Sequence, residues 1–414
     1  MNGDTSGHRH PVASIVVMLA LIAATGTAVV LGADRTSAHR PGRIAESGGM
    51  ITTPVLGVLG VTGTHFTGER AAGIDSVAIT VGWGDSEPSP GTFNLTYLQS
   101  MEKEMTSARA AGLDVVLDPG LQYPPAWVFS LPGGTQFEDQ YGDVFTGAGD
   151  SGNDVANAVT DPSVRSAEGT YLAWLGAHLP IGSVIAVRQG GGPLGELRYP
   201  GPDYDGHTNC YWAYDASSRA SAPVPGWVPG TGTVAQATAF LDAYNADLDG
   251  YGIWLNAQLK ADFASTELVM LPGWGERPGG AAEEEASLLT LNMPEFNEGL
   301  DWTDLLDSLP DPTHSVAYTT YLDAATYLPT IQLEDPADYL ASLVAGTSIK
   351  LGGENTGNGT FTTMRLCFQR AEALGFVIVE WMDEAQLEAS TIGQDPDGPT
   401  FNLLGEGAAV WLTS

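Results

Sequence analysis

The chain has 414 residues, 43% of them hydrophobic, so it can build a full core; it is long for one ordinary domain and normal for a barrel with long loops. There are 50 acidic residues against 16 basic, a formal net charge of -34. That field repels nucleic acid and anionic lipid surfaces, which sets aside nucleic-acid-binding functions and favours a neutral or cationic ligand.

Residues 1–11 are polar, and Val12 to Ala33 then carry no charged residue. This pattern predicts an export signal, or an uncleaved signal anchor because the run is long enough to span a bilayer. Small residues at Ala33 and Ala38 keep cleavage open. The basic, Pro- and Gly-containing stretch from Asp34 to Gly49 is expected to be a linker, with the folded part over residues 50–414 outside the cytoplasm, secreted or held by a single N-terminal anchor. Two cysteines, Cys210 and Cys367, can form one disulfide or none, and no Cys/His cluster suggests a metal centre.

From Thr53 onward, short apolar runs alternate with helical stretches. The runs are Val55–Val61, Ser76–Val81, Asp114–Leu117, Ser183–Arg188, Glu267–Leu271, Ser315–Thr319, Ser348–Leu351 and Phe376–Glu380. They are β-branched or Leu-rich and continuous, as parallel strands covered on both faces are. Helices are expected at Leu98–Ala111, Ser166–His178, Val234–Ala261, Pro336–Ala345 and Phe361–Leu374. "AAGLDVV" and "AEALGFVIV" share a helix end, a Gly cap and a strand. Eight such units predict an α/β fold, a closed (β/α)8 TIM barrel with long loops on its C-terminal face. Residues 200–232 form the longest of these expected loops. No GxGxxG follows the first strand, which argues against an open dinucleotide-binding sheet.

A barrel gathers its chemistry at the C-terminal strand ends. After the first strand stands His65, expected to be structural. After the second comes "GWGDSEPSPGTFN": Trp83 is expected to wall a ligand site beside Asp85, and Glu87, in a Pro-rich turn, to be structural. After the third comes "DPGLQYPPAWV", with Asp118, Tyr123 and Trp127; Trp127 fits a ligand face or core packing equally well. After the fourth comes "RQGGGPLGELRYP". Its Glu196 can act as a proton donor beside Arg198 and Tyr199, or simply pair with Arg198 on a surface loop. The fifth runs into "PGWGERPGG", with Trp274, and Glu276 as a rival carboxylate that Arg277 can neutralise. The sixth carries Tyr318 and Tyr321, either able to hydrogen-bond a carboxylate after the seventh. That carboxylate is Glu354 in "LGGENTGNG", with Asn355 and Asn358 as polar neighbours. The eighth gives "VEWMDEAQ", whose Trp381 is expected to floor the site. Glu380, Asp383 and Glu384 are further acidic candidates without the spacing of a calcium loop. No GxSxG elbow for a serine hydrolase is present.

"GWGDSEPSPGTFN" and "YPPAWV" resemble the second- and third-strand loops of the family 42 β-galactosidases, over roughly Val55 to Val128. "GPLGELRYP" resembles the fourth-strand motif of the family 14 β-amylases, whose Glu is the general acid. Gly195 stands where the retaining clan has Asn before that Glu, and no counterpart of the β-amylase seventh-strand E-M motif surrounds Glu354. The resemblance implies an exported glycoside hydrolase acting on an oligo- or polysaccharide without a cofactor or metal. It implies Glu196 as acid and Glu354 as nucleophile or general base; the strand-end reading adds Trp83, Trp274 and Trp381 as expected walls and Arg198 and Tyr318 as expected to orient the carboxylates. The rival expectation is a cell-surface carbohydrate-binding protein that keeps the barrel without catalysis. A wide separation of the two carboxyl groups, beyond the roughly 9.5 Å of inverting enzymes, would favour it.

Overall fold

The computed structural model describes residues 50–147, 153–324 and 335–413. The expected export segment and linker over 1–49 lie outside these residues. Among the described residues no helix is long and apolar enough to cross a membrane.

All eight apolar runs form strands: β1 (Val55–Val58), β2 (Ser76–Thr80), β3 (Asp114–Asp118), β4 (Val184–Gln189), β5 (Thr266–Leu271), β6 (Ser315–Thr319), β7 (Lys350–Glu354) and β8 (Ile378–Trp381). They pair in parallel and in chain order, and β8 returns to β1 with Val55 opposite Ile378 and Val58 opposite Trp381. The barrel is closed, so it has no free edge.

The helices that return the chain begin and end on local chemistry. Asp161 caps Pro162–His178 by accepting from the N–H groups of Ser163 and Val164, with Pro162 at the first turn, where its missing donor costs nothing. Leu95–Ala111 ends at Gly112 (φ 89°) and Phe361–Leu374 at Gly375 (φ 77°), both left-handed, which turns the chain directly into β3 and β8. The helix Val234–Phe263 opens on a Thr233–Gln236 capping box. In the stretch after β4, Asp215 caps a short helix, Ala216–Ser221. Cys210 and Cys367 are both buried and do not pair.

Two cores result from the two-residue period of a strand. Leu56, Val77, Val115, Val187, Val269, Ala317 and Val379 face the helices. Val55, Ala78, Val116, Ala186, Leu268, Val316 and Ile378 fill the barrel. Counting two residues onward from the interior set gives Thr80, Asp118, Arg188, Tyr318 and Glu380, and β7 adds Glu354 two residues after Gly352. The interior therefore changes from apolar to polar and charged at its C-terminal end.

The packing below this polar layer is tight. A β-carbon on Gly352 would lie 2.7 Å from both Ile378 and Val316 and 2.9 Å from the Tyr318 ring. Gly352→Ala is expected to cost about 1–3 kcal/mol through overpacking, read as a lower urea midpoint with an unchanged slope.

Candidate active site

The polar layer is organised by Arg188. One of its terminal nitrogens donates to Glu354 Oε2 at 2.9 Å and the other to Glu380 Oε2 at 2.9 Å. The Tyr318 hydroxyl lies 2.9 Å from both of these same oxygens. Burial works against the charge on Arg188, but Glu354, Tyr318 and Glu380 outweigh it and hold its pKa well above the usual range. Burial also pushes the Tyr318 phenol well up, so it stays a donor. Glu354 spends Oε2 on both donors; Oε1 has no hydrogen bond among the described residues, and the side chain keeps 7% exposure.

Glu196 stands across the mouth on the loop after β4. A β-carbon on Gly190 would collide with the Gly195 carbonyl, and Gly195 has φ 76°, so glycine is required at both positions for this tight return. The N–H of Gly192 donates to the Glu196 carbonyl, and Leu197 N–H to Met270 on β5, which fixes the loop to the barrel. The carboxyl accepts from Thr320 Oγ1 at 2.7 Å and from Arg198 Nε at 2.9 Å. Burial raises the Glu196 pKa; Arg198 and Thr320 oppose this, and the Glu354 charge adds to the rise. Arg198 also faces Glu298 at 3.4 Å. One carboxyl thus leans towards its protonated form, while the other is neutralised by a guanidinium.

On the β2–β3 side, Asp118 accepts from Thr80 (3.0 Å), Gln122 (2.8 Å) and the Gly120 N–H (2.9 Å). A cavity of about 420 Å³ opens there, lined by Thr80, Gly82, Gly84, Asp85, Tyr97 and Tyr123. Tyr123 is 42% exposed, so this is the aromatic face that the mouth offers. A larger cavity, about 580 Å³, lies between the helices Pro162–His178 and Val234–Phe263, outside the barrel and away from every strand-end carboxylate. We place the site at the strand ends, where the charged groups converge.

Several expected ligand contacts are structural instead. Trp83 is fully buried, stacks on Tyr171 and donates from Nε1 to Glu87 at 2.9 Å, so it has no face to offer a sugar. Glu87 also takes the Gly91 N–H, as a structural turn residue does. Trp381 lies outside the barrel by strand parity, since Glu380 points in; it is buried where a β-carbon on Gly359 would meet its ring. Tyr199 is buried too, stacked on Tyr244 at 3.9 Å, with its hydroxyl on the Tyr244 carbonyl. Asn355 is committed to the backbone of Met382, accepting from its N–H at 2.7 Å and donating to its carbonyl at 2.6 Å. Trp127 is half-buried, with Nε1 on the Glu87 carbonyl and its ring edge-on to Trp83, which makes it packing.

Glu276, the rival carboxylate, is tied to a helix. It accepts from Asn245 on the helix Val234–Phe263 at 2.8 Å, and burial with Asp301 nearby pushes its pKa up to about 8. Arg277 stacks over the Tyr339 ring at 3.6 Å. Trp274 stays half-buried on the β5 loop. Asp383 caps the helix after it, accepting from the Gln386 N–H, and Glu384 takes the Thr62 N–H and faces His65. Another trio, Asp139, Asp143 and His207, has ligand-type atoms within 4.8 Å of one another; a His207–Asp143 hydrogen bond of 2.7 Å accounts for it.

The functional residue that sequence reasoning missed is Arg188, with Thr320 as a lesser omission. The signal exists: an arginine inside an otherwise apolar parallel strand is buried, and a buried charge needs partners.

No protein-family model matches the chain, and no curated protein sequence does. Solved structures do. The catalytic domain of a β-amylase from Paenibacillus polymyxa superposes with a TM-score of 0.68 at 15% identity, covering 88% of this chain and 99% of that one. A β-galactosidase from the psychrophilic Marinomonas ef1 gives 0.56 at 13% identity, over 86% of this chain and 59% of that one. A β-galactosidase from the Antarctic haloarchaeon Halorubrum lacusprofundi gives 0.54 at 15%, over 87% and 58%. At these identities the likeness establishes the barrel fold. The chain spans less than three-fifths of the length of the two β-galactosidases.

Proposed function

We propose that the chain is an exported glycoside hydrolase that cleaves O-glycosidic bonds in an oligo- or polysaccharide. The observation that carries this reading is the unequal pair at the barrel mouth: Glu196, buried and biased towards its acid form, and Glu354, bound to Arg188 with one oxygen left open. The barrel it shares with a β-amylase and two β-galactosidases supports the same reading. Export rests on the apolar N-terminal run.

Cleavage of an acetal needs a proton for the departing oxygen and electron density for the anomeric carbon. Glu196 donates the proton. Glu354 attacks the anomeric carbon if the product keeps its configuration, or deprotonates a water if the product is inverted. Arg188 and Tyr318 fix Glu354 Oε2, which leaves Oε1 to react. Neither carboxylate needs a cofactor for this chemistry. Tyr123, Asp118 and the half-buried Trp274 are the residues we assign to sugar contact. Deeply buried Trp83, Tyr199 and Trp381 remove most of the aromatic platform on which a purely binding function would depend.

Because burial raises the Glu196 pKa, its acid form persists above the usual carboxylate range, and activity should fall on the alkaline side as that proton is lost. Glu196→Gln tests the role directly. On a substrate with a poor leaving group, its turnover should drop by about 10²–10⁴-fold. On aryl glycosides with acidic phenol leaving groups, which need no proton, the loss should shrink to about tenfold or less. Equal losses on both substrate types would remove Glu196 as the acid.

A further inference from the structure

Glu380 is a strand-end carboxyl that the proposed reaction does not use. It is fully buried, it shares Arg188 and Tyr318 with Glu354, and its Oε1 has no hydrogen-bond partner among the described residues. On β1, Gly57 approaches so closely that a β-carbon there would lie 2.9 Å from Glu380 Cγ and 2.8 Å from Ser76 Oγ of β2, itself a buried oxygen without a partner among the described residues. Glu354 on β7 is the other carboxyl facing it, and Asp118 on β3 is a further charge acting on their shared Arg188.

The proton count is short by one if both glutamates are ionised. Tyr318 has a single hydroxyl proton, yet its oxygen lies 2.9 Å from Oε2 of Glu354 and 2.9 Å from Oε2 of Glu380. One contact can use the phenol proton. The other would then set an oxygen lone pair against a carboxylate, which is repulsive at a buried, weakly screened position. A proton on Glu380 Oε2 resolves this. Glu380 then donates to Tyr318, and Tyr318 donates to Glu354. The unpartnered Oε1 becomes the carbonyl oxygen of a neutral acid, which is far less costly to bury than a bare carboxylate oxygen.

We propose that Glu380 is a positioning residue for Glu354, carrying the proton that directs the Tyr318 hydroxyl onto Glu354 and leaving the Arg188 charge to be balanced by one carboxylate. Burial, only partly offset by Arg188, pushes its pKa up to about 7, which agrees with this arrangement. Above that range Glu380 ionises, competes for Arg188 and Tyr318, and loosens the hold on Glu354. Its role in hydrolysis rests on the proposed function; its protonation does not.

The test is Glu380→Gln, a neutral residue of the same shape, in the full chain. A carboxyl with a raised folded-state pKa contributes stability below its unfolded value near 4.5 and loses it as pH rises through about 7. The thermal midpoint of Glu380→Gln minus that of the native protein should therefore rise by a few degrees between about pH 5 and pH 8; groups that do not interact with Glu380 cancel in the difference. A constant difference across that range would overturn the proposal. This arm needs no substrate, so it stands or falls apart from the glycosidase reading. With a cleaved substrate, Glu380→Gln should keep kcat within about tenfold, with the alkaline limb moved upward. Glu380→Leu, which offers neither donor nor acceptor, should lose about 10²-fold. A loss in Glu380→Gln as deep as that in Glu354→Gln would show that the ionised carboxylate is required and would likewise overturn it.

Discussion

Glu354→Gln is expected to reduce turnover by at least about 10³-fold on any substrate the protein cleaves, while unfolding at close to the native denaturant midpoint. The large kinetic effect arises because an amide cannot form the covalent intermediate and is far too weak a base to activate a water. The structural effect stays small because glutamine keeps a carbonyl oxygen where Arg188 and Tyr318 both donate at 2.9 Å, and Glu380, 2.9 Å from the same guanidinium, can ionise in its place as the counter-ion. Steady-state kinetics and urea unfolding on the same preparation separate the two. Activity within about tenfold of the native protein would remove Glu354 from the chemistry. A collapse of stability would recast it as a structural counter-ion.

Arg188→Met carries the second large effect, of the opposite kind. Methionine matches much of the side-chain volume but leaves Glu354 and Glu380 facing each other in a buried site with only Tyr318 between them. Removing one member of a buried ion-paired group costs about 3–5 kcal/mol, because the remaining charge is stranded. We therefore expect a fall of that size in unfolding free energy, together with loss of activity as Glu354 loses the donor that holds its Oε2. At alkaline pH, where Glu380 ionises, adding Glu380→Gln should recover part of the stability, since one stranded carboxylate is then removed. A double-mutant cycle over these two positions should give a coupling of about 1–3 kcal/mol. An Arg188→Met protein as stable as the native one would mean that the network does not hold the barrel mouth together.

The barrel was legible because its signals are local. Continuous β-branched runs marked strands covered on both faces, and the Gly112 and Gly375 caps marked where helices hand over to β3 and β8. The place of Glu196 beyond β4 was legible from its motif, and that of Glu354 from its position at the end of the seventh apolar run. The Tyr318 bond to Glu354 was anticipated because both stand at neighbouring strand ends. What failed was facing. In a parallel strand buried on both sides nothing alternates, so the sequence does not say whether Glu380 or Trp381 points into the barrel. The partners of Tyr199 and Glu276 were hidden for a different reason: Tyr244 and Asn245 lie on the distant helix Val234–Phe263, and only the tertiary fold brings them together. Arg188 escaped because it sits inside a strand, whereas the motifs that suggest chemistry stand in the loops beyond the strand ends.

The central claim is that the two glutamates at the barrel mouth hydrolyse glycosidic bonds. Its most direct measurement is proton NMR of α- and β-linked oligosaccharides incubated with the native protein and with the Glu196→Gln/Glu354→Gln double variant. New anomeric signals are expected from at least one oligosaccharide with the native protein, their initial configuration defining whether Glu354 attacks carbon or activates water, and none with the variant. Product formation at the native rate by the double variant would contradict it, as would oligosaccharides that bind the native protein and are never cleaved.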